Sequence, residues 1–123
     1  MRILIVEDDH KLGALLEQGL QEDGFEVVRA NDGEEAVAKA VAADYDLILL
    51  DYMLPKKNGY EVTVELRRAG WRTPILMLTA RDAPEDLRDA LRAGVNDLMG
   101  KPFRFGELVD RIRSLTSGSA DGG

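Results

Sequence analysis

The chain is expected to fold as a doubly wound α/β domain, a three-layer (βα)5 arrangement in which a parallel sheet carries helices on both faces. Three observations lead there. Five short apolar runs recur along the 123 residues, the stretches between them are long enough for a helix, and apolar residues within those stretches recur at helical spacing. Parallel neighbours cannot be joined by tight hairpins, so this alternation calls for right-handed crossovers through helices.

The first strand is read at Ile3–Val6, an unbroken apolar run. Leu12, Leu15, Leu16 and Leu20 then mark the core-facing stripe of a first helix, with Asp9 as its cap. Val27–Ala30 is the second strand, and Ala36, Val37, Ala40 and Val41 line the second helix. Leu47–Leu50 is the third, followed by a helix carrying Val62, Leu66 and Ala69. After the fourth strand at Ile75–Leu78, Pro84 opens a helix bearing Leu87, Ala90 and Leu91. A fifth strand around Val95–Met99 leads into a last helix carrying Leu108, Val109, Ile112 and Leu115. Residues 1–116 thus read as one domain. The small, polar residues 117–123 read as a flexible tail or the start of a linker.

Composition narrows the function classes. With 45% hydrophobic and 32% charged residues, the chain fits a soluble globular protein rather than a disordered one. A formal net charge of -7 argues against direct binding of nucleic acid or an anionic membrane, both of which call for clustered Lys and Arg. The absence of Cys removes disulfides and thiolate chemistry and suits a reducing cytoplasm. The run Ile3–Val6 is too short for a signal peptide or a membrane span.

The strand ends carry the chemistry. In an open parallel sheet the carboxyl ends of the strands share one edge, and ligands bind there, where the strand order reverses. The first strand ends in Glu7-Asp8-Asp9, the third in Asp51, the fourth in Thr79-Ala80 and the fifth in Lys101-Pro102. Clustering Glu7, Asp8 and Asp51 is costly unless a hard divalent cation offsets the repulsion, and Mg²⁺ is the natural candidate. Such an ion keeps room for a phosphate oxygen, and Lys101, the Thr79 hydroxyl and the Ala80 amide are suitable donors to the remaining phosphoryl oxygens. Asp51, ionised at neutral pH, is then the nucleophile that becomes an aspartyl phosphate.

Each residue alone has a plainer reading: a solvated loop charge for Glu7 or Asp8, an ordinary strand residue for Thr79, a surface charge before a turn for Lys101. Their convergence at four different strand ends is what favours the site. His10 is assigned no role and is read as exposed, Trp71 and Tyr60 as packing residues near the third helix, Met77 as strand core, and Tyr52 as a flank of the site.

Across residues 1 to 116 the sequence resembles the response-regulator receiver family, most closely receivers that precede winged-helix DNA-binding domains. The resemblance is carried by Ile3-Leu4-Ile5-Val6-Glu7-Asp8-Asp9, Leu49-Leu50-Asp51-Tyr52-Met53-Leu54-Pro55, Asn58-Gly59, Leu78-Thr79-Ala80-Arg81-Asp82 and Lys101-Pro102-Phe103. It implies a flavodoxin-like fold with strand order 2-1-3-4-5 and a phosphorylation-controlled switch of a two-component pathway in the cytoplasm. By the same resemblance Asp51 is the phosphoacceptor, and Asp8, Asp51 and the Met53 backbone carbonyl ligate Mg²⁺, or Mn²⁺, with Glu7 acting through water. Thr79 and Lys101 grip the phosphoryl group, and a cis bond before Pro102 aims the lysine. The implied partners are a sensor histidine kinase and a C-terminal DNA-binding output domain. The implied chemistry is the domain's own phosphorylation and slow dephosphorylation, with no separate substrate turned over.

Two departures stand out. Leu98 occupies the position where the family usually has Tyr or Phe, so the readout is expected to rely on Thr79 and the loop after it. Asp89, Arg92 and Asn96 depart from the charges that relatives pair across a symmetric dimer face formed by the fourth helix, fifth strand and fifth helix. Dimerisation through that face is therefore expected to be weak or altered, although Glu107 and Arg111 remain.

Other functions meet specific obstacles. A haloacid-dehalogenase-type phosphatase needs an Asp two residues after its nucleophile, where this chain has Met53. A flavodoxin needs a hydroxyl- and Gly-rich phosphate loop where this chain has Glu7-Asp8-Asp9. The runner-up is a phosphorylation-independent interaction module, suggested by Leu98.

Overall fold

A computed structural model describes residues 1–80 and 84–121, without the side chains of residues 84–86 and 118–121. Five strands alternate with five helices: β1 (Arg2–Val6), α1 (His10–Glu22), β2 (Glu26–Ala30), α2 (Gly33–Ala42), β3 (Leu47–Asp51), α3 (Gly59–Arg68), β4 (Ile75–Thr79), α4 (Pro84–Ala93), β5 (Asp97–Gly100) and α5 (Phe105–Asp121). All pairings are parallel, in the order β2-β1-β3-β4-β5. The expected architecture and strand order are both present. The order reverses at β1, which pairs with β2 on one side and β3 on the other.

The apolar strand runs have a direct physical reason. Successive side chains point to opposite faces, and both faces are covered. Ile3, Ile5, Leu47, Leu49, Leu76 and Leu78 pack with Leu16 and Leu20 of α1 and Leu108 and Ile112 of α5. The alternate residues Leu4, Val6, Ile48, Leu50, Ile75 and Met77 pack with Ala36 and Ala40 of α2, Val62 and Leu66 of α3, and Ala90 of α4. Each fully buried Leu or Ile stabilises the fold by roughly 1.5–3 kcal/mol relative to exposure, so these two layers anchor the strands.

The helix starts follow the expected local chemistry. The Asp9 carboxylate accepts from the amides of Lys11 and Leu12 and caps α1. Asp32 accepts from Glu35 N at 2.8 Å to cap α2. Asn58 and Glu61 form a reciprocal capping box at the start of α3.

Several apolar stripes are narrower than expected. Leu15, at 61% exposure, points away from the core, since it lies about 100° around the helix from Leu16. Leu91 is exposed for the same reason, one residue past buried Ala90. Val41 is exposed in the last turn of α2, and Ala69 is the exposed C-cap of α3. Val95 is buried but precedes β5. Gly94 turns the chain with φ 117°, and Asn96 takes up both the N–H and the C=O of Ile75, so the ladder begins at Asp97. The expected boundary at residue 116 falls inside α5, whose backbone is helical as far as Asp121. Among the described residues no helix is long and apolar enough to cross a membrane.

Candidate functional site

Strand packing delivers the acidic and basic groups to one edge. Glu7 and Asp8 follow β1, and Asp51 ends the adjacent strand β3. One carboxylate oxygen from each of Glu7, Asp8 and Asp51 lies within 4.8 Å of the others. Glu7 and Asp51 are buried, at 2% and 5% exposure, whereas Asp8 is exposed. Thr79 ends β4 and is buried, and Lys101 follows β5 with its backbone amide bonded to Thr79 O at 2.9 Å. The Lys101-Pro102 bond is cis. Lys101 Nζ lies 3.1 Å from Asp51 Oδ1 and 3.2 Å from Glu7 Oε1, which ties β5 to both acidic strands.

The electrostatics identify an imbalance. Burial, and then the charge of Asp51, push Glu7 up from 4.5 to about 7 despite the Asp9 amide and Lys101 working the other way. Burial acts to lower Lys101, but its hydrogen bond to Asp51 and the charges of Asp51 and Glu7 outweigh that and hold it above the usual lysine value. One ammonium thus faces three carboxylates. An oxygen donor set with this surplus of negative charge fits a hard divalent cation of the Mg²⁺ class.

The remaining expected residues fall around this centre. Ala80 is exposed directly after Thr79; Arg81 and Asp82 of the same motif lie outside the described residues. Met53 lies in the loop after β3 with its side chain exposed. Leu98 pairs with Met77 in the β4–β5 ladder and is partly buried against the layer under α2, α3 and α4, while Arg111 donates to its carbonyl at 2.9 Å. His10 is exposed at the start of α1, Tyr52 and Trp71 pack at the edge of the core, and Met77 is within it. Tyr60 is 39% exposed on α3, so its ring packs only in part. An open hollow of about 820 Å³ runs along α3 between Lys56, Lys57, Tyr60, Glu61, Val64, Glu65 and Arg68, and none of Glu7, Asp8 and Asp51 lines it.

Two contacts were not anticipated. The Arg67 guanidinium donates to Gly94 O, Trp71 O and Asn96 Oδ1, joining α3 to the turn before β5. The start of α2 touches the loop after β3: Gly33 N donates to Pro55 O at 3.2 Å. Neither contact has a local sequence signature, because each joins segments more than 20 residues apart.

Comparison with known proteins bears on the family and the fold. Residues 3–113 match the model of the response regulator receiver domain. The chain belongs to that family. Transcriptional regulatory protein PcoR of Escherichia coli is 45% identical over 114 residues, 93% of this chain and 50% of that protein. Transcriptional activator protein IrlR of Burkholderia pseudomallei is 49% identical over 115 residues, 94% of this chain and 50% of that protein. The chain spans about half the length of these curated relatives. Among solved structures, the receiver domain of the Francisella response regulator 1452 superposes with a TM-score of 0.92 at 30% identity, covering 96% of this chain and 98% of that one. Response regulator protein TrrA of Thermotoga maritima, in complex with Mg(2+)-BeF, superposes with a TM-score of 0.83 at 35% identity, covering 93% and 97%. The two curated relatives are transcriptional regulators by name.

Proposed function

We propose that this receiver domain is a phosphorylation switch in which Asp51 accepts a phosphoryl group from a sensor histidine kinase. The observation that carries the reading is the convergence of Glu7, Asp8 and Asp51 within 4.8 Å of one another, with Lys101 Nζ 3.1 Å from Asp51. An Asp51 oxygen attacks phosphorus, the P–N bond of the donor phosphohistidine breaks, and the imidazole leaves with that bond's electron pair. Asp8, Asp51 and the Met53 carbonyl, with Glu7 through water, would hold Mg²⁺, which would supply charge neutralisation of the phosphoryl oxygens. Mn²⁺, which takes a similar oxygen set, is a substitute. Lys101 moves its hydrogen bonding from the carboxylates to a phosphoryl oxygen, and the Thr79 hydroxyl and Ala80 amide bind the others. Position 53 carries no acid or base to activate water, so the aspartyl phosphate persists long enough to signal and is lost slowly.

The likeness to transcriptional regulators of twice this length supports a C-terminal DNA-binding output domain and a cytoplasmic location, with residues 117–123 leading into a linker. The readout runs through Thr79 and the loop after it, since Leu98 offers neither a ring nor a phenol. Homodimerisation through α4, β5 and α5 is weak: Arg111 is already paired within the chain to Asp97 at 3.1 Å and to Glu107 at 3.2 Å, and Asp89 and Arg92 are exposed on α4.

The test is intact mass after incubation with Mg²⁺ and acetyl phosphate. The wild type should gain one phosphoryl group and Asp51→Asn none. Equal labelling of both proteins would overturn the assignment of Asp51.

A further inference from the structure

We propose that Gly33, at the start of α2, is a positioning residue for the metal site, acting through the loop that joins β3 to α3. The inference rests on the reading of that site given above, in which the Met53 carbonyl is a Mg²⁺ ligand.

The loop of residues 52–58 leaves Asp51 and returns at Gly59, where Gly59 N donates to Tyr52 O at 2.8 Å. A Cβ on Gly59 would lie 2.7 Å from Asp51 O, so the returning chain presses directly on the phosphoacceptor's own backbone. The far side of the loop is pressed by α2. A Cβ on Gly33 would lie 2.1 Å from Lys57 O and 2.8 Å from Lys57 C, both backbone atoms that cannot swing aside. Gly33 is therefore required for close approach, and its amide uses that approach to reach Pro55 O at 3.2 Å. A third restraint lies between them. Lys56 holds φ 71°, a conformation that non-glycine residues rarely adopt, while its ammonium sits 3.6 Å from Asp32 and 3.7 Å from Glu34 at the start of α2. The loop carrying the Met53 carbonyl is thus held between Asp51 and the first turn of α2.

Mg²⁺ accepts only near-ideal octahedral geometry at about 2.0–2.1 Å, whereas Ca²⁺ tolerates irregular shells at about 2.3–2.6 Å. Relieving a 2.1 Å contact to ordinary separation moves the loop or α2 by about 1 Å. Loop retreat displaces one ligand by a distance that Mg²⁺ registers and Ca²⁺ absorbs. Gly33→Ala should therefore weaken Mg²⁺ binding about 10-fold and change Ca²⁺ affinity less than about 3-fold.

The experiment is calorimetric titration of wild type and Gly33→Ala with MgCl₂ and, separately, CaCl₂. Gly24→Ala is the matched control: Gly24 has φ 95°, so alanine strains the turn after α1, yet nothing lies within 4 Å to transmit the strain. It should lower the melting temperature and leave both affinities unchanged. If Gly33→Ala does not fold, Lys56→Gly is the second variant; it accepts the φ, loses the bridge to α2 and should show the same Mg²⁺-selective loss to a smaller degree. Mg²⁺ binding by Gly33→Ala equal to wild type, or parallel losses for both ions, would overturn the proposal. Wild type that binds neither ion would instead overturn the metal-site reading on which it rests.

Discussion

Neutralising Glu7 should stabilise the metal-free domain, and the gain should depend on pH in a calculable way. The folded protein holds the Glu7 proton to about 7 against an ordinary value of 4.5. A carboxyl whose folded pKa is raised binds its proton more tightly in the native state, so its stability penalty is absent in acid. The penalty develops as pH climbs from 4.5 towards 7 and is complete above 7. At about 1.36 kcal/mol per unit, the full shift corresponds to roughly 3 kcal/mol, and sharing of charge with Asp51 reduces it to about 2 kcal/mol. Glu7→Gln removes the charge and, like the protonated acid, keeps one carbonyl oxygen, which can accept either from Lys101 Nζ, now 3.2 Å from Oε1, or from the Asp9 amide, now 3.1 Å from Oε2. In EDTA near pH 8 the variant should therefore melt about 6–10 °C above wild type, the increment expected of about 2 kcal/mol in a domain this size. Near pH 4.5 the two should melt within a degree or two of one another. Adding Mg²⁺ at the higher pH should raise wild type more than the variant, because the ion relieves the same repulsion. A Glu7→Gln protein no more stable than wild type in EDTA at the higher pH would refute the argument that the acidic cluster strains the metal-free fold.

Three other predictions follow from separate parts of the molecule. Leu49→Ala, at a 1% exposed strand position, should cost about 2–5 kcal/mol in urea unfolding, and a loss below 1 kcal/mol would contradict the packing described. Arg67→Met should speed hydrogen exchange at the amides of Gly94 to Asp97 and cost about 2 kcal/mol, because Gly94 O and Trp71 O lose the guanidinium and Asn96 Oδ1 keeps the Ile75 amide alone of its two donors; unchanged exchange there would show that the turn holds without it. Sedimentation of the unphosphorylated domain at micromolar concentration should show a monomer whether or not Arg111→Glu is introduced. A tight dimer that this substitution dissociates would show that Arg111 pairs across an interface.

The position of a ligand edge was legible because it depends on strand order and on what each strand ends with. Glu7, Asp8, Asp51, Thr79 and Lys101 could each be read as the residue following a short apolar run. Helix faces were less legible. Leu15 and Leu91 share helical spacing with buried neighbours, but the sheet covers only an arc of each helix, and its width depends on how far neighbouring helices close over it. Leu15 therefore lies in solvent beside Leu16.

What the sequence alone determined is the alternation of five strands and helices, the cap at Asp9 and the helix start at Pro84, and the identity of the groups at the strand ends. These depend on periodicity and local hydrogen bonding, which a linear chain displays. Only the tertiary structure decided that Glu7 is buried deeply enough to hold its proton to about 7, that Lys101 bridges Asp51 and Glu7, and that Gly33 lies against the backbone of Lys57. Each of these depends on solvent exclusion or on distances between segments remote in the chain. They come into being when the two apolar faces of the sheet are covered and the strand ends are brought to one edge.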